Sequence, residues 1–267
     1  MQAQHRHLAN GWQSWQEQGE GPAIVLLHGI SSCAASWSAL ADQLSGYRLL
    51  AWDAPGYGES SPLLAQQPNA GDYADRLEAW LAELNVERCV LVGHSLGALM
   101  ASAYQARYPQ RLRGLVLADP AQGYRHDTEQ VREQVFHSRW PLLVKLGAEA
   151  FADERAPRLL KANPSESALA QVKAAMRQLH VDGFRQANWM LANDDLVDWW
   201  QQGGQIPAEV VCGNEDAITP PEAVQSLARR LQLRYHELPG AGHASYLDAP
   251  EAFAQELLRF VRSLPID

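Results

Sequence analysis

The sequence predicts an α/β fold in which a mostly parallel sheet is covered by helices on both faces. Strand-like segments alternate with amphipathic helical patterns in the first part of the chain and again near its end. Apart from the first pair, these segments are continuously apolar, which is typical of parallel strands buried on both faces. From residue 121 to residue 205 the chain is polar and helical in character, with no convincing strand. We therefore expect one sheet interrupted by a helical insertion.

The first part of the chain contains five strand-like segments separated by helical patterns. The predicted strands cover residues 8–16, 23–28, 47–52, 89–92 and 112–118. The predicted helices cover residues 34–44, 72–84 and 98–107. In the first of these helices, apolar residues recur three and four positions apart between Trp37 and Leu44. This spacing is that of one buried helix face.

After the helical insertion, the strand and helix patterns alternate again. Strands are predicted over residues 209–212 and 233–238, and helices over residues 220–231 and 250–264. We therefore divide the chain into a core, residues 1–121 and 206–267, and a helical cap, residues 122–205. The cap is expected over the carboxyl ends of the strands, where open α/β sheets bind ligands.

The 267-residue chain has an ordinary globular composition, with 46% hydrophobic and 20% charged residues. This length suffices for a substantial core. The formal net charge of −9 argues against nucleic acid or an anionic membrane as a partner. We expect a small-molecule substrate, which a local arginine could still bind as an anion, and a chain that is a monomer or a homodimer.

The number and spacing of the cysteines and the length of the apolar segments indicate in which cellular compartment the protein is expected. The three cysteines, an odd number, are spaced unlike any metal site. The first 11 residues are polar and lack the apolar stretch of a signal peptide. No segment approaches the ~20 apolar residues needed to span a membrane. We therefore expect reduced cysteines and a cytoplasmic location. The histidines at positions 5, 7, 126, 137, 180 and 236 offer no ligand set, so we expect no metal.

A candidate nucleophile lies in the Gly-His-Ser-Leu-Gly pentapeptide of residues 93–97. A strand pattern precedes this pentapeptide and a helix of small residues follows it. This is the setting of the nucleophile elbow, a turn so tight that glycines must flank the serine, whose hydroxyl is lifted to the top of the sheet. Ser95 is therefore the predicted nucleophile.

The base and the acid are sought among residues that follow later strands. A serine hydroxyl needs a base within hydrogen-bond distance, and His243 lies in a glycine-rich loop between the last strand and the last helix. The base in turn needs a carboxylate to fix its tautomer. Asp216, which follows the strand ending at Cys212, is the predicted acid. Asp119 ends an earlier strand at the same edge of the sheet and remains an alternative acid.

The oxyanion of an acyl-transfer reaction requires two backbone N–H donors. One is expected from Leu96, the residue after the nucleophile. The other is expected from Ile30, because Gly29 permits a sharp turn directly after the strand over residues 23–28.

Five motifs in this order resemble the α/β-hydrolase family. They cover residues 28–29, 53–60, 93–97, 213–216 and 240–243. The resemblance implies an eight-stranded, mostly parallel sheet with one early antiparallel strand and a lid after strand six. The order of Ser95, Asp216 and His243 is also that of this family. A serine at position 95 excludes the dehalogenase and epoxide hydrolase branches, which need a carboxylate there.

The resemblance implies a serine hydrolase without cofactors that cleaves a small ester, lactone or thioester. The motifs are similar to those of enol-lactonases, small esterases and carbon–carbon bond hydrolases. Ala244 stands where the last group usually has an aromatic residue. Amide or carbon–carbon bond hydrolysis in the degradation of aromatic or heterocyclic compounds remains an alternative. So do a non-catalytic small-ligand receptor on the same fold and a cofactor-free lyase or peroxidase-like activity.

The predicted cap offers three candidate pocket residues. Trp140 and Trp189 could line an apolar substrate pocket. Arg125, at the start of the cap, could meet a substrate carboxylate.

Overall fold

The computed structural model describes residues 1–265, whose eight strands form a single sheet. The strands are β1 (Gln2–Leu8), β2 (Gly11–Gln18), β3 (Ala23–Leu27), β4 (Arg48–Trp52), β5 (Cys89–His94), β6 (Leu112–Ala118), β7 (Ala208–Gly213) and β8 (Arg234–Leu238). Their order in the sheet is β1-β2-β4-β3-β5-β6-β7-β8. β2 pairs antiparallel with both of its neighbours, and the other pairs are parallel. The predicted fold class, with one early antiparallel strand, is confirmed.

The first hairpin differs from the prediction of one strand over residues 8–16. Two strands, β1 and β2, meet at a turn between Leu8 and Gly11. Six of the seven β1 residues are exposed at the edge of the sheet. Because this strand buries almost nothing, its sequence carries no apolar alternation from which it could be recognised.

The helices lie between the strands, largely where the periodicity predicts them. They are α1 (Ser38–Ala41), α2 (Ala70–Glu83), α3 (Leu96–Arg107), α4 (Glu129–Phe136), α5 (Trp140–Arg155), α6 (Glu166–Arg177), α7 (Val181–Asn193), α8 (Leu196–Gln202), α9 (Pro221–Leu231), α10 (Ser245–Asp248) and α11 (Pro250–Ser263). The predicted helix over residues 34–44 is shorter than expected, with a 3₁₀ turn over Ala34–Trp37 before α1. Its apolar face is nevertheless buried, as Trp37 and Leu40 show.

The core of the molecule lies on both faces of the central strands. All six residues of β5 are buried, as are the last four of β3 and of β4. On one side Trp80 of α2 stacks on Trp52 with ring centroids 6.4 Å apart and contacts Trp15 at 5.8 Å. Each fully buried large apolar side chain contributes roughly 1.5–3 kcal/mol to folding. This burial fixes β5, from which the elbow emerges.

Five helices, α4 to α8, connect β6 to β7 and lie within the predicted cap. The segment is joined to the rest of the molecule by close contacts. The buried carboxylate of Asp194, directly after α7, accepts a hydrogen bond of 2.6 Å from the N–H of Ala70, the first residue of α2. At the start of α7, Gly183 packs against the backbone of Gly56 so closely that neither position has space for a Cβ atom. α8 packs against α3.

The Gly56–Gly183 contact predicts a stability effect. Gly183→Ala would place a Cβ against the Gly56 carbonyl, so we expect the variant to lose about 1–3 kcal/mol of unfolding free energy. This loss exceeds the gain of up to about 1 kcal/mol that alanine brings to a helix. Chemical denaturation of wild type and variant measures the difference. Gly204→Ala is the control, because its Cβ would have only Pro109 at an ordinary 3.8 Å; equal losses in both variants would contradict the prediction.

Two further observations concern the length of the helices and the state of the cysteines. Within residues 1–265, none of the helices combines the length and the apolar character that crossing a membrane requires. Cys33, Cys89 and Cys212 are buried free thiols. Burial raises the pKa of each thiol, for Cys89 to about 12, so all three stay protonated at neutral pH.

Candidate active site

Ser95 lies at a sharp turn between β5 and α3. Its φ of 52° and ψ of −116° are a strained conformation for a residue with a side chain. The turn closes only because Gly93 and Gly97 lack side chains: a Cβ on Gly93 would meet the backbone of Gly97, and one on Gly97 the carbonyl of Leu27. The N–H of Ser95 donates to the Ala118 carbonyl at 2.9 Å. This geometry is that of the nucleophile elbow that the sequence predicts.

The structure brings the side chains of Ser95, His243 and Asp216 into one hydrogen-bonded chain. His243 Nε2 lies 2.9 Å from Ser95 Oγ, and His243 Nδ1 lies 2.8 Å from Asp216 Oδ2. All three residues are buried. With Nδ1 donating to the carboxylate, Nε2 is free to accept the serine proton.

The Asp216 carboxylate is held by several donors besides His243. Oδ1 accepts from the N–H groups of Ile218 and Thr219 at 2.7 and 2.9 Å, and Oδ2 accepts from the Thr219 hydroxyl at 2.6 Å. Burial alone would raise the pKa of Asp216. The hydrogen bond and charge of His243 and the Thr219 donors outweigh it, so the pKa is lowered. Asp216 is therefore ionised and rigidly placed.

A second histidine, His94, holds the loop that carries His243. Its Nε2–H donates to the His243 carbonyl at 2.7 Å. Burial, together with the nearby charge of His243, lowers the pKa of His94 to about 3. His94 is consequently neutral near pH 7, and its role is to connect the elbow to the histidine loop.

Asp119 lies close by but is bonded to other groups. Its Oδ1 accepts from the Gly213 N–H at 2.8 Å and its Oδ2 from the Ser245 hydroxyl at 2.5 Å. His94 Nε2 lies 3.8 Å from Asp119 Oδ2. Of the two candidate acids, the structure brings Asp216 to His243, and it places Asp119 as a support for the backbone beneath them.

Asp119 predicts a pH dependence of stability. Burial raises the pKa of this carboxyl group to about 7, from about 3.9 in an unfolded chain. Between these values the folded state retains a proton that unfolding releases, so the free energy of unfolding due to Asp119 falls as the pH rises from about 4 to 7. The Asp119→Asn variant has no such proton. Urea unfolding at several pH values should show that wild type loses stability relative to the variant as the pH rises from about 4 to 7, and profiles that run parallel would contradict the assignment.

The backbone after β3 is oriented by His28. The Gly29 carbonyl accepts hydrogen bonds from His28 Nδ1–H at 2.8 Å and from the Ser32 N–H at 3.2 Å. His28 Nε2 accepts from the Ala54 N–H at 3.0 Å, so both ring nitrogens are used and the ring is neutral. The Gly29 carbonyl and the Ile30 N–H belong to the same planar peptide. Fixing the carbonyl therefore fixes the direction of that N–H.

Tyr57 completes this support, and sequence reasoning did not single it out. Its hydroxyl donates to the Ile30 carbonyl at 2.8 Å, and its ring packs edge-on against His28 with centroids 4.8 Å apart. The motif over residues 53–60 contained the tyrosine but gave no indication of its partner.

The second predicted oxyanion donor, the N–H of Leu96, lies at the start of α3. Because Leu96 is the first residue of this helix, its N–H has no partner within the helix.

A cavity of about 370 Å³ opens over Ser95. Ile30, Leu96 and His243 line it together with Ser95. The helices after β6 contribute aliphatic side chains that the sequence did not identify as pocket residues, and these are Leu159, Val172, Met176 and Leu191. The cavity wall also includes Arg139, Arg155 and Arg158.

The three predicted pocket residues do not belong to this wall, which corrects the sequence-based expectation. Trp140 and Trp189 pack on Phe136, with ring centroids 5.9 and 5.3 Å away, and so join the helices to one another. Arg125 is exposed and lies 3.7 Å from the Asp198 carboxylate. Aromatic residues at helical spacing indicate that one face of the helix is buried. They do not indicate which other helix packs against that face.

Two groups of side chains have ligand atoms close enough together to share a metal ion. One comprises Asp119, Cys212 and Asp216, and the other His126, Asp195 and Asp198. In the first, the carboxylates already accept the hydrogen bonds described above. In the second, His126 is exposed and the two aspartates are half-buried; His126 donates to Asp198, and Asp195 caps α8. Hydrogen bonding accounts for both groups, and the absence of a metal stays a prediction.

The fold, the elbow and the hydrogen-bonded chain define an α/β hydrolase. The family model described as "alpha/beta hydrolase fold" matches residues 22–250, and the chain belongs to this family. It is a hydrolase enzyme, as full-length relatives also indicate.

The chain is similar over its length to several known proteins. It is 28% identical to 2-succinyl-6-hydroxy-2,4-cyclohexadiene-1-carboxylate synthase of Serratia proteamaculans, covering 92% of this chain and 96% of the relative. It is 26% identical to the putative carbamate hydrolase RutD of Escherichia coli O81, covering 92% and 93%. A thermophilic esterase from Thermogutta terrifontis superposes with a TM-score of 0.83 at 25% identity, over 98% of both chains. A match over 101 residues covers only 23% of another, longer relative.

Proposed function

We propose that this protein is a serine hydrolase that cleaves a small carboxylic ester, lactone or thioester. The observation that carries the proposal is the hydrogen-bonded chain from Ser95 through His243 to Asp216, at 2.9 and 2.8 Å. It opens into a cavity of about 370 Å³, a size suited to a small substrate.

In the first half of the reaction, Ser95 Oγ attacks the substrate carbonyl while His243 Nε2 takes its proton. Asp216 holds the ring and stabilises the imidazolium that forms. The protonated His243 then donates its proton to the leaving alcohol or thiol. The scissile bond breaks, and the acyl group stays on Ser95.

The same groups hydrolyse the acyl-enzyme, with water in place of Ser95 as the nucleophile. His243 takes a proton from water, the resulting hydroxide attacks the acyl carbonyl, and the proton returns to Ser95 as the acid leaves. In both halves the negative oxygen faces the N–H groups of Ile30 and Leu96. Each such donor is worth roughly 3–4 kcal/mol of transition-state stabilisation by analogy with measured cases. The hydrogen bonds of His28 and Tyr57 to the Ile30 loop support this role.

Amide or carbamate hydrolysis is a second candidate, favoured by the full-length carbamate hydrolase relative. The same groups would act, with His243 protonating a leaving amine instead of an alcohol.

We also propose that residues 122–205 act as a cap that determines which substrate enters, since this segment supplies the aliphatic and arginine side chains of the cavity wall.

The experiment that tests the proposal combines covalent labelling with a substrate panel. A fluorophosphonate probe should modify the wild-type protein at Ser95, located by mass spectrometry of the labelled peptide. Hydrolysis of p-nitrophenyl esters, simple lactones and p-nitroanilides then ranks the leaving groups. A wild-type protein that is neither labelled nor active on any ester or lactone would contradict the proposal, and faster cleavage of anilides than of esters would favour the second candidate.

A further inference from the structure

Arginine side chains are concentrated on the wall of the cavity over Ser95. Arg139, Arg155 and Arg158 line it together, in a chain whose formal net charge is −9. Arg139 directly precedes α5, and Arg155 is the last residue of that helix. The cations therefore reach the cavity from both ends of one helical segment.

A break in α5 makes this convergence possible. In a straight helix, 16 residues would separate the Cα atoms of Arg139 and Arg155 by about 24 Å. Gly147 interrupts the helix with a φ of 76° and a ψ of 163°, and its own surroundings are open. The break redirects the second half of α5, and Arg139 and Arg155 both line the cavity.

Neither guanidinium group has a direct ion pair with a carboxylate among the described residues, although the charge of Glu154 acts on Arg155. Among residues 1–265, no carboxylate oxygen lies within 4.0 Å of either one, and Arg139 donates a hydrogen bond of 2.9 Å to the Ser138 hydroxyl. Burial lowers the pKa of Arg139, and the charge of Arg155 lowers it further. Burial likewise lowers the pKa of Arg155. Arg158 differs, because it is exposed and lies 3.9 Å from Glu154.

Guanidinium groups remain charged even when they are partly buried. Two such groups on one cavity wall, neither of them ion-paired with a carboxylate of residues 1–265, are stabilised when an anion binds between them. We infer that Arg139 and Arg155 bind a carboxylate of the substrate while its scissile carbonyl lies at Ser95. This inference rests on the proposed function, since it concerns the substrate of the same cavity.

The substrate class that follows is a monoester, lactone or thioester of a dicarboxylic acid. A guanidinium fork matches the planar carboxylate with two parallel hydrogen bonds. The aliphatic side chains of Val172 and Met176, on the same wall, suit the carbon chain that separates the two carbonyl groups. The carboxylate of such a substrate would give both guanidinium groups a direct anionic partner.

The test compares two esters of the same shape that differ in charge. Mono-p-nitrophenyl glutarate ends in a carboxylate, whereas p-nitrophenyl 5-methylhexanoate carries a neutral branched end of similar size. We expect wild type to favour the glutarate ester. Arg139→Gln and Arg155→Gln should each lower kcat/KM for the glutarate ester roughly 10- to 100-fold more than kcat/KM for the neutral ester, mainly through KM. Arg139→Lys, which keeps the charge, should recover part of the loss.

The matched control is Arg229→Gln, which removes the same charge from an exposed position on α9, where Arg229 bonds to Gln225. Both esters should react with it as with wild type. A binding measurement separates this inference from the proposed function: calorimetry with glutarate itself should show binding to wild type that Arg139→Gln weakens. If the neutral ester is hydrolysed but wild type neither prefers the glutarate ester nor binds glutarate, the inference is wrong and the proposed function stands. If glutarate binds through Arg139 but wild type is neither labelled by the fluorophosphonate nor active on any ester or lactone, the carboxylate site stands and the proposed function fails.

Discussion

Ser95→Ala is expected to lower kcat on any ester that the wild-type protein hydrolyses by on the order of 10⁶-fold, the loss measured for the nucleophile of a comparable triad. The reason is chemical: without Oγ, His243 has no group to deprotonate, and the acyl-enzyme cannot form. Initial rates at saturating substrate measure the effect, and fluorophosphonate labelling should disappear with it.

The control for Ser95→Ala is another buried serine on the helix that follows the elbow. Ser102 lies in α3, and its hydroxyl donates to the Ala98 carbonyl at 2.9 Å. Ser102→Ala should keep both turnover and labelling, because Ser102 does not line the cavity. A Ser95→Ala variant with turnover close to that of Ser102→Ala would show that Ser95 is not the nucleophile.

Asp216→Asn is expected to reduce kcat by on the order of 10⁴-fold while leaving the substrate affinity largely intact. The asparagine amide can turn an N–H toward His243 Nδ1, which then becomes the acceptor. The ring proton moves to Nε2, and the nitrogen next to Ser95 can no longer accept the serine proton.

Asp119→Asn provides the comparison for Asp216→Asn, because both replace a buried carboxylate near His243 by its isosteric amide. Asp119 bonds to Gly213 and Ser245 rather than to His243, so its replacement should cause a much smaller loss of kcat. The ratio of the two losses is the measurement. A larger loss in Asp119→Asn would make Asp119 the acid and contradict the assignment of Asp216.

The sequence predicts a part of the molecule well when its local residue pattern is compatible with only one backbone structure. Ser95 could be found because the turn around it demands glycines at fixed positions between a strand and a helix. His243 and Asp216 could be found because each follows a predicted strand, and parallel strands end at the same edge of a sheet. For the same reason Asp119 could not be separated from Asp216: both satisfy the rule, and only the hydrogen bonds distinguish them.

The cavity wall could not be predicted, because it depends on how helices pack rather than on where they form. Trp140 and Trp189 bury their rings against a neighbouring helix, and periodicity alone does not identify that neighbour. Arg139 and Arg155 line the same cavity because α5 breaks at Gly147. A glycine within a helical pattern indicates that the helix is less stable at that position, but it does not give the direction in which the chain continues.

The hydrogen bond between Asp194 and Ala70 bears on how the chain folds. The first turn of α2, a core helix, is completed by a carboxylate 124 positions later in the sequence. Contacts of such long sequence separation form late, because a large loop must close before they are made. The core therefore cannot reach its final structure before the end of α7 has docked. We expect the predicted core and the predicted cap to unfold together in a single cooperative transition. The division between them is visible along the sequence, but it should not give two separate unfolding steps.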